Sequence, residues 1–532
     1  MFHSKFTIAP LIFWFFGTMP LSAQYAWQHT SMSTTEEKPL SGSLLTVEAQ
    51  GSFSHGSTPL WLNANRYGLS SLKEKNAYMR AALIRPIETD SVRRWALGYG
   101  LDVAVPANYT SHFIVQQAYA EARWLHGQLT IGSKQWPMQL KSNSLSSGSQ
   151  TLGINARPIP QVRLALPEYW TVPLGGRWLH LKGHVAFGML TDDGWERDFT
   201  QQSSKYAEHV LYHSKAGYLL IGNGRRHFPL SLELGLEMAT TFGGTTYSFV
   251  KGNKIKLKNK SNLKAFWDAL IPGGQDMADG MYPNAAGNTV GSWLARINYD
   301  APKWKLGVYA DHFFEDDSQM FLLDYNGYGE GSEWKKKKHS KWYFYKPCDI
   351  MLGIELNLKQ GTWLNNIVAE YIYTKNQSGP YNHDHSKNIA DHISGNDNYY
   401  NNYVYPGWQH WGQVIGNPLY RSPIYNTDNL IEVEDNRFSA VHLGFEGCPA
   451  PHLYYRVLAS WQEGLGTYSM PYTRHRHNTS AMAEAAYTLP RQWKLQLALG
   501  LDHGSILGNN SGVAFTISHT MNFQKLIRNN QP

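Results

Sequence analysis

Cysteine is almost missing from this chain: Cys348 and Cys448 are the two that 532 residues contain. That excludes a small scaffold stapled by disulfides and the multi-cysteine structural zinc sites. Charge is also sparse, with Asp, Glu, Lys and Arg at 17%, so the composition is not that of a highly charged disordered chain. After residue 23 no segment reaches the roughly twenty apolar residues of a membrane helix. No G-x-S-x-G elbow, H-E-x-x-H zinc motif or RNP stretch occurs. The net charge of +7 then points to anionic lipid or acidic glycan rather than to nucleic acid. No catalytic centre, metal or cofactor is expected.

What the chain does have is glycine, tyrosine and tryptophan, with aromatics at 14%, which suits a β-rich protein with two kinds of wall. The amino terminus has an export pattern: Lys5, an apolar run over Ile8–Phe16, then Leu21-Ser22-Ala23 as a small-residue cleavage site. We therefore expect a signal peptide over residues 1–23 and a bacterial outer-membrane location.

Period-two alternation marks the strands. In Gln492–His503, Trp493, Leu495, Leu497, Leu499 and Leu501 share one face, opposite Lys494, Gln496, Gly500 and Asp502. Trp178–Met189, Lys303–His312 and Ile114–Trp124 alternate in the same way. Alternation alone does not separate a soluble sandwich from a membrane barrel. Three features favour the barrel. The segments run to about ten residues or more, as tilted membrane strands do. Trp124, Trp178, Trp304, Trp363, Tyr373 and Trp493 sit near strand ends, like an interfacial girdle. Connections alternate between short and long, and the long ones are Gly464–Thr479, Lys375–Asn436, Phe314–Asp349, Ala239–Val290, Thr191–Tyr206 and Pro137–Ile159.

The predicted fold is all-β: a transmembrane antiparallel β-barrel of about eighteen strands with a short helical insertion and long outer loops. It would occupy residues 43–523, after a periplasmic segment 24–42 and before a tail 524–532. Leu44–Phe53 and Leu60–Arg66 are read as one bent strand, or the first as an interior segment. Loop 239–290 should hold a helix capped by Ser261, with Leu263, Phe266, Trp267 and Leu270 at helical spacing and Pro272 stopping it. That helix is either a lid for the barrel mouth or a surface helix.

Several stretches resemble the Wzi-type capsule-assembly family, particularly its Bacteroidetes branch. They are Pro59–Gly68, Asn155–Gln161, Thr191–Trp195, Asp311–Ser318, and Ile415–Leu419 with Ser422–Asn426, which follow in the family's order along nearly the whole chain. The resemblance implies an eighteen-stranded barrel closed by loops and helices, with a non-catalytic, lectin-like hold on capsular polysaccharide. A saccharide porin or polysaccharide export channel is the alternative.

Candidate residues follow from the outer loops. Tyr399, Tyr400, Tyr403, Tyr405, Trp408 and Trp411 lie among Asn and Asp in loop 375–436, and ring faces beside amides suit sugars. The competing reading makes them the loop's own small core. Lys335, Lys336, Lys337 and Lys338 could meet lipopolysaccharide phosphates or an acidic capsule, or be merely solvated. Arg157 and Gln161 flank two prolines, a rigid segment that could plug the lumen and pair Arg157 with a wall carboxylate. His383, Asp384, His385 and His392 lack a third ligand at diagnostic spacing. Asp192-Asp193 and Glu315-Asp316-Asp317 are adjacent carboxylates that point apart, a poor basis for glycosidase chemistry. Cys348 and Cys448 should lie at opposite ends of the barrel, too far apart to bridge.

Overall fold

Where apolar side chains alternate with polar ones over a dozen residues, the structure turns the apolar side out. The computed structural model describes residues 42–523 except 91–93, 174, 223–227, 272–286, 316–324, 329–330, 334, 340–347, 378–380, 384–391 and 395–396. The expected signal peptide and the tail 524–532 lie outside the described residues. Eighteen strands form one antiparallel sheet. The first six are β1 Leu44–His55, β2 Lys75–Arg85, β3 Trp95–Ala107, β4 Ile114–Trp124, β5 Gly127–Ser133 and β6 Gln161–Thr171. Next come β7 Leu179–Met189, β8 Leu211–Ile221, β9 Leu230–Phe242, β10 Asn288–Asp300, β11 Trp304–Glu315 and β12 Ile350–Leu358. The last six are β13 Asn366–Tyr373, β14 Phe438–Ala450, β15 Leu453–Gly466, β16 Pro471–Leu489, β17 Trp493–Gly504 and β18 Asn510–Asn522. Each pairs with its chain neighbours, and β1 pairs with β18 along its whole length, which closes the ring and leaves no sheet edge.

On β17, Leu499 is 54% exposed and Leu497 and Leu501 nearly as much, while Asp502 is buried inside. Val162 and Leu164 of β6 and Leu181 and Val185 of β7 also face out. A water-soluble sandwich would cover this face; here it is a hydrocarbon-facing band. Trp95 and Trp124 stack at 5.9 Å, and Trp178 packs edge-on against Phe228 at 5.7 Å, at the end where turns are short. That end is periplasmic, and the long connections lie outside.

Three expectations need correction. Leu44–His55 is a wall strand, and Leu60–Asn63 is instead a buried helical turn, α1, inside the barrel. The side chain of Asp502 on β17 accepts from the Leu60 amide at 3.1 Å and pins that turn. Gly500 and Gly512 make room for it, because a Cβ at either would strike the Leu62 side chain or Pro59. Gly464–Thr479 is not a long loop: β15 and β16 continue outward as a hairpin whose link is residues 467–470. Arg474 to His477 are all exposed there, above the membrane, so no apolar alternation marks the strand. The insertion helix α3, Leu263–Leu270, is capped by Asn262, whose side chain accepts from Ala265 N at 3.0 Å, not by Ser261. It packs Ala265, Phe266 and Ala269 on Phe242 and on Phe187 and Leu211. Leu263 and Trp267 point away from the barrel.

Candidate functional site

The interior is filled by the chain itself. Segment 134–160, between β5 and β6, crosses the lumen and bonds to the wall on several sides. Lys141 Nζ donates to Asp311 Oδ2 on β11 at 2.7 Å, with both side chains almost fully buried. Ser146 Oγ and the Ser147 amide donate to the Glu370 carboxylate on β13 at 2.6 and 2.8 Å. Ser149 Oγ reaches Glu237 on β9 at 3.3 Å, and Thr151 meets Ser292 on β10 at 2.8 Å. His442 on β14 lies 2.8 Å from the Leu145 carbonyl, and Arg456 on β15 donates to the Ser144 carbonyl at 3.0 Å. Separately each bond contributes about 1 kcal/mol net, but a buried donor or carboxylate left without a partner costs about 1–3 kcal/mol. The set therefore holds as a unit.

The stretches that carried the family resemblance meet here. Asn417 Nδ2 donates to the Gly148 carbonyl at 3.1 Å, and Asn155 Nδ2 to the Val414 carbonyl at 3.0 Å. Asn155 Oδ1 in turn accepts from the Asn65 amide at 3.1 Å. At Gly153 a Cβ would lie 2.6 Å from the Gly416 carbonyl oxygen, so only glycine permits that approach. Arg157 is buried, as a plug residue must be, but among the described residues it pairs with no wall carboxylate. Its guanidinium donates to Ser111 Oγ and Thr110 Oγ1, both at 2.8 Å, and lies 4.1 Å from the Trp411 ring. Burial pulls His410 down to about 4, so its neutral ring accepts from the Thr191 amide through Nε2 and donates to the Arg157 carbonyl through Nδ1. Gln161, also buried, opens β6 and lines the lumen beside Arg163 and His184.

Of the six loop aromatics, four belong to a core rather than to a sugar platform. Tyr399, Tyr400 and Trp408 have no exposed surface and Tyr405 almost none. Phe313 of β11 meets Tyr399 edge-on at 4.7 Å, and Tyr400 packs on Tyr420 at 4.1 Å. Tyr399 Oη donates to Asp349 at 2.9 Å. Burying these rings folds residues 397–437 back into the barrel, so they cannot also offer a face to a ligand. Tyr403 is 97% exposed and Trp411 half-buried. Lys335 and Lys336 are exposed, and Lys336 pairs with Glu333 at 3.1 Å. The side chains of Lys337 and Lys338, with Asp384, His385, Asp316 and Asp317, lie outside the described residues. Asp192 caps the short helix α2, Trp195–Phe199, by accepting from Glu196 N at 2.9 Å, and Glu315 accepts from the Tyr400 amide at 2.7 Å. Among the described residues no group of three metal-binding side chains occurs. Both cysteines are free, Cys348 just before the outer end of β12 and Cys448 exposed near the periplasmic end of β14.

Sequence reasoning missed the outer mouth around β14–β16. Arg437 lies 3.6 Å from the Tyr468 ring, Arg476 3.9 Å from Tyr472, and Arg421 5.9 Å from Tyr425. Arg437 and Arg476 lie over their rings at cation–π distance, whereas Arg421 is turned into its own loop, donating to Glu434 at 2.7 Å and to the Tyr425 carbonyl at 2.8 Å. Asp435 joins them: it accepts from the Gly466 amide at 3.0 Å and from Gln462 at 3.1 Å. Burial pushes its carboxyl up to about 7, against the opposing pull of that amide and of Arg421 and Arg476. Lys375 pairs with Glu463, which His475 also contacts at 3.0 Å. With Arg474, the patch has five basic side chains against Glu434, Asp435 and Glu463, a net positive surface ringed by tyrosine. The only sequence signal was the Arg474–His477 run; the partners come from four separate segments.

An eighteen-stranded barrel with an apolar outer band, a girdle and a lumen closed by its own loops is an outer-membrane β-barrel. No known family model and no curated protein matches the sequence. Solved structures do match in fold. The Escherichia coli protein Wzi, described as an outer membrane protein involved in group 1 capsule assembly and a carbohydrate-binding β-barrel, superposes with a TM-score of 0.52. That match has 14% identity over 89% of this chain and 83% of Wzi. Pseudomonas aeruginosa OprD gives a TM-score of 0.40 at 8% identity over 90% of this chain and 95% of that one. Vibrio cholerae OmpT without loop L8 gives 0.36 at 8% identity over 90% and 98%. At such identities the likeness establishes the fold alone.

Proposed function

We propose that this protein is a non-catalytic outer-membrane barrel that holds acidic capsular or related surface polysaccharide at its outer mouth. The observation that carries the reading is the buried polar plug: Lys141, Ser146 and Ser147 engage wall carboxylates on β11 and β13 across the lumen, which suits a holder better than a conduit. The Arg437–Tyr468 and Arg476–Tyr472 pairs supply the matching chemistry. Guanidinium edges bind carboxylate, phosphate or sulfate groups in bidentate fashion, and tyrosine rings lie against the C–H faces of sugars. Exposed Tyr403 is a further platform. The Wzi structure is described as carbohydrate-binding, which agrees with this reading and does not replace its test.

The test uses the purified full-length barrel. Retention on an immobilised acidic polysaccharide is expected to exceed that on a neutral one and to fall as salt rises. Arg437→Ala with Arg476→Ala should weaken it about tenfold or more, at about 1.5–3 kcal/mol for each charged hydrogen bond. In planar bilayers the wild type should pass no steady current. Large steady currents with no glycan retention would make it a channel instead.

A further inference from the structure

Helix α3 lies on the outside of the barrel, where a lid for the lumen could not reach. Along β8, Tyr212, Ser214, Ala216 and Tyr218 turn inward, so Lys215 and His213 point out. The helix sits on them: Lys215 Nζ donates to the Ala269 and Leu270 carbonyls at 2.9 and 2.6 Å, and His213 is covered by Phe187, which in turn touches Phe266. Leu263, Trp267 and Ile271, four residues apart, form an outward stripe, with Leu263 89% exposed. A helix with one face on the protein and an apolar stripe turned away belongs in a membrane interface.

Below it the wall is hollowed. A groove of 1240 Å³, almost wholly apolar, runs across β6–β11 between Leu164, Leu181, Val185, Leu234 and Trp293, over the floor left by Gly217. Above it the chain is strongly basic. Residues 251–264 contain six lysines and no carboxylate. Three of them, Lys254, Lys256 and Lys258, lie on the exposed strand Asn253–Lys258, which forms a hairpin with Thr245–Val250 and pairs Lys258 with Thr245 at the rim.

We propose that this face is a binding site for a phosphorylated glycolipid of the outer leaflet. Acyl chain fills the groove, Trp267 and Leu263 insert beside it, and Lys256, Lys258 and Lys260 hold the phosphates. The apolar hollow and the lysine rim are stacked in the order in which such a lipid presents its tail and its head. Lysines close to a membrane surface attract its anionic head groups. The site is on the opposite side of the wall from the plug and is independent of the glycan reading.

Native mass spectrometry of the full-length protein, released from micelles doped with bis-phosphorylated lipid A, tests it. The wild type should retain lipid A at least about tenfold better than dephosphorylated lipid A or phosphatidylglycerol. Gly217→Phe should abolish retention; a Cβ there meets nothing within 4 Å, so the ring can rise from the floor of the groove into the path of an acyl chain. Lys258→Glu with Lys260→Glu should also lose retention while leaving the heat-modifiable gel shift of a folded barrel. Equal retention of phosphatidylglycerol, or loss in only one of the two variant classes, overturns the proposal.

Discussion

At the scale of single residues, two carboxylates hold different parts of the plug. Glu370 accepts from Ser146, from Ser147 and from Tyr309 Oη, all buried. Glu370→Ala leaves these donors without an acceptor, at about 1–3 kcal/mol each. The barrel should stay folded, because its sheet is untouched, but flickering currents should appear in bilayers where the wild type is silent. Asp435 works through its proton. Its carboxyl titrates near 7 in the folded chain and near the ordinary 3.9 when the loop is released. Between these values only the folded loop binds the proton, so its hold weakens as pH rises from about 4 through 7 and is least above 7. Protease clipping of loop 374–437, corrected for the protease's own pH profile, should be faster at pH 8 than at pH 5. Asp435→Asn should flatten that difference, since the amide oxygen still accepts from Gly466 and no charge appears.

At the scale of elements, segment 134–160 is an interior strut rather than an outer loop. Replacing residues 138–153 with a short Gly-Ser linker removes the bonds to β9–β11 and β13–β15 together and leaves every wall strand in place. We expect a heat-modifiable barrel with steady, salt-dependent conductance; a silent barrel would mean that loop 374–437 seals the lumen unaided. The β15–β16 hairpin shows the converse case. Its outer part is polar on both faces, and cross-strand pairing with the ladder below carries it above the membrane.

At the scale of the whole molecule, the inside-out wall sets orientation. Cys448 is exposed near the short-turn end, and Cys348 lies at the other. A membrane-impermeant maleimide should therefore leave Cys448 unmodified on intact cells and modify it once the outer membrane is permeabilised. Modification on intact cells would reverse the topology. The placement of the two cysteines at opposite ends also accounts for the absence of a bridge between them.

The sequence by itself determined the barrel. Alternation in β17, β7 and β11, tryptophan at strand ends and the rhythm of short and long connections are local properties, because lipid and lumen impose their demands residue by residue along each strand. It could not settle whether Leu44–His55 or Leu60–Asn63 was the wall, since both read as apolar segments and only the carboxylate of Asp502 and the glycines Gly500 and Gly512, over 400 residues away, select the second for the interior. For the same reason it could not tell the buried rings of Tyr399, Tyr400 and Trp408 from exposed Tyr403. Their neighbours Phe313, Tyr420 and Phe438 arrive from other strands and turns. The Arg–Tyr pairs of the outer mouth and the external seat of α3 were likewise decided by tertiary structure alone. A side chain's neighbours across a closed barrel are set by ring closure and register, and neither is written in the spacing of one segment.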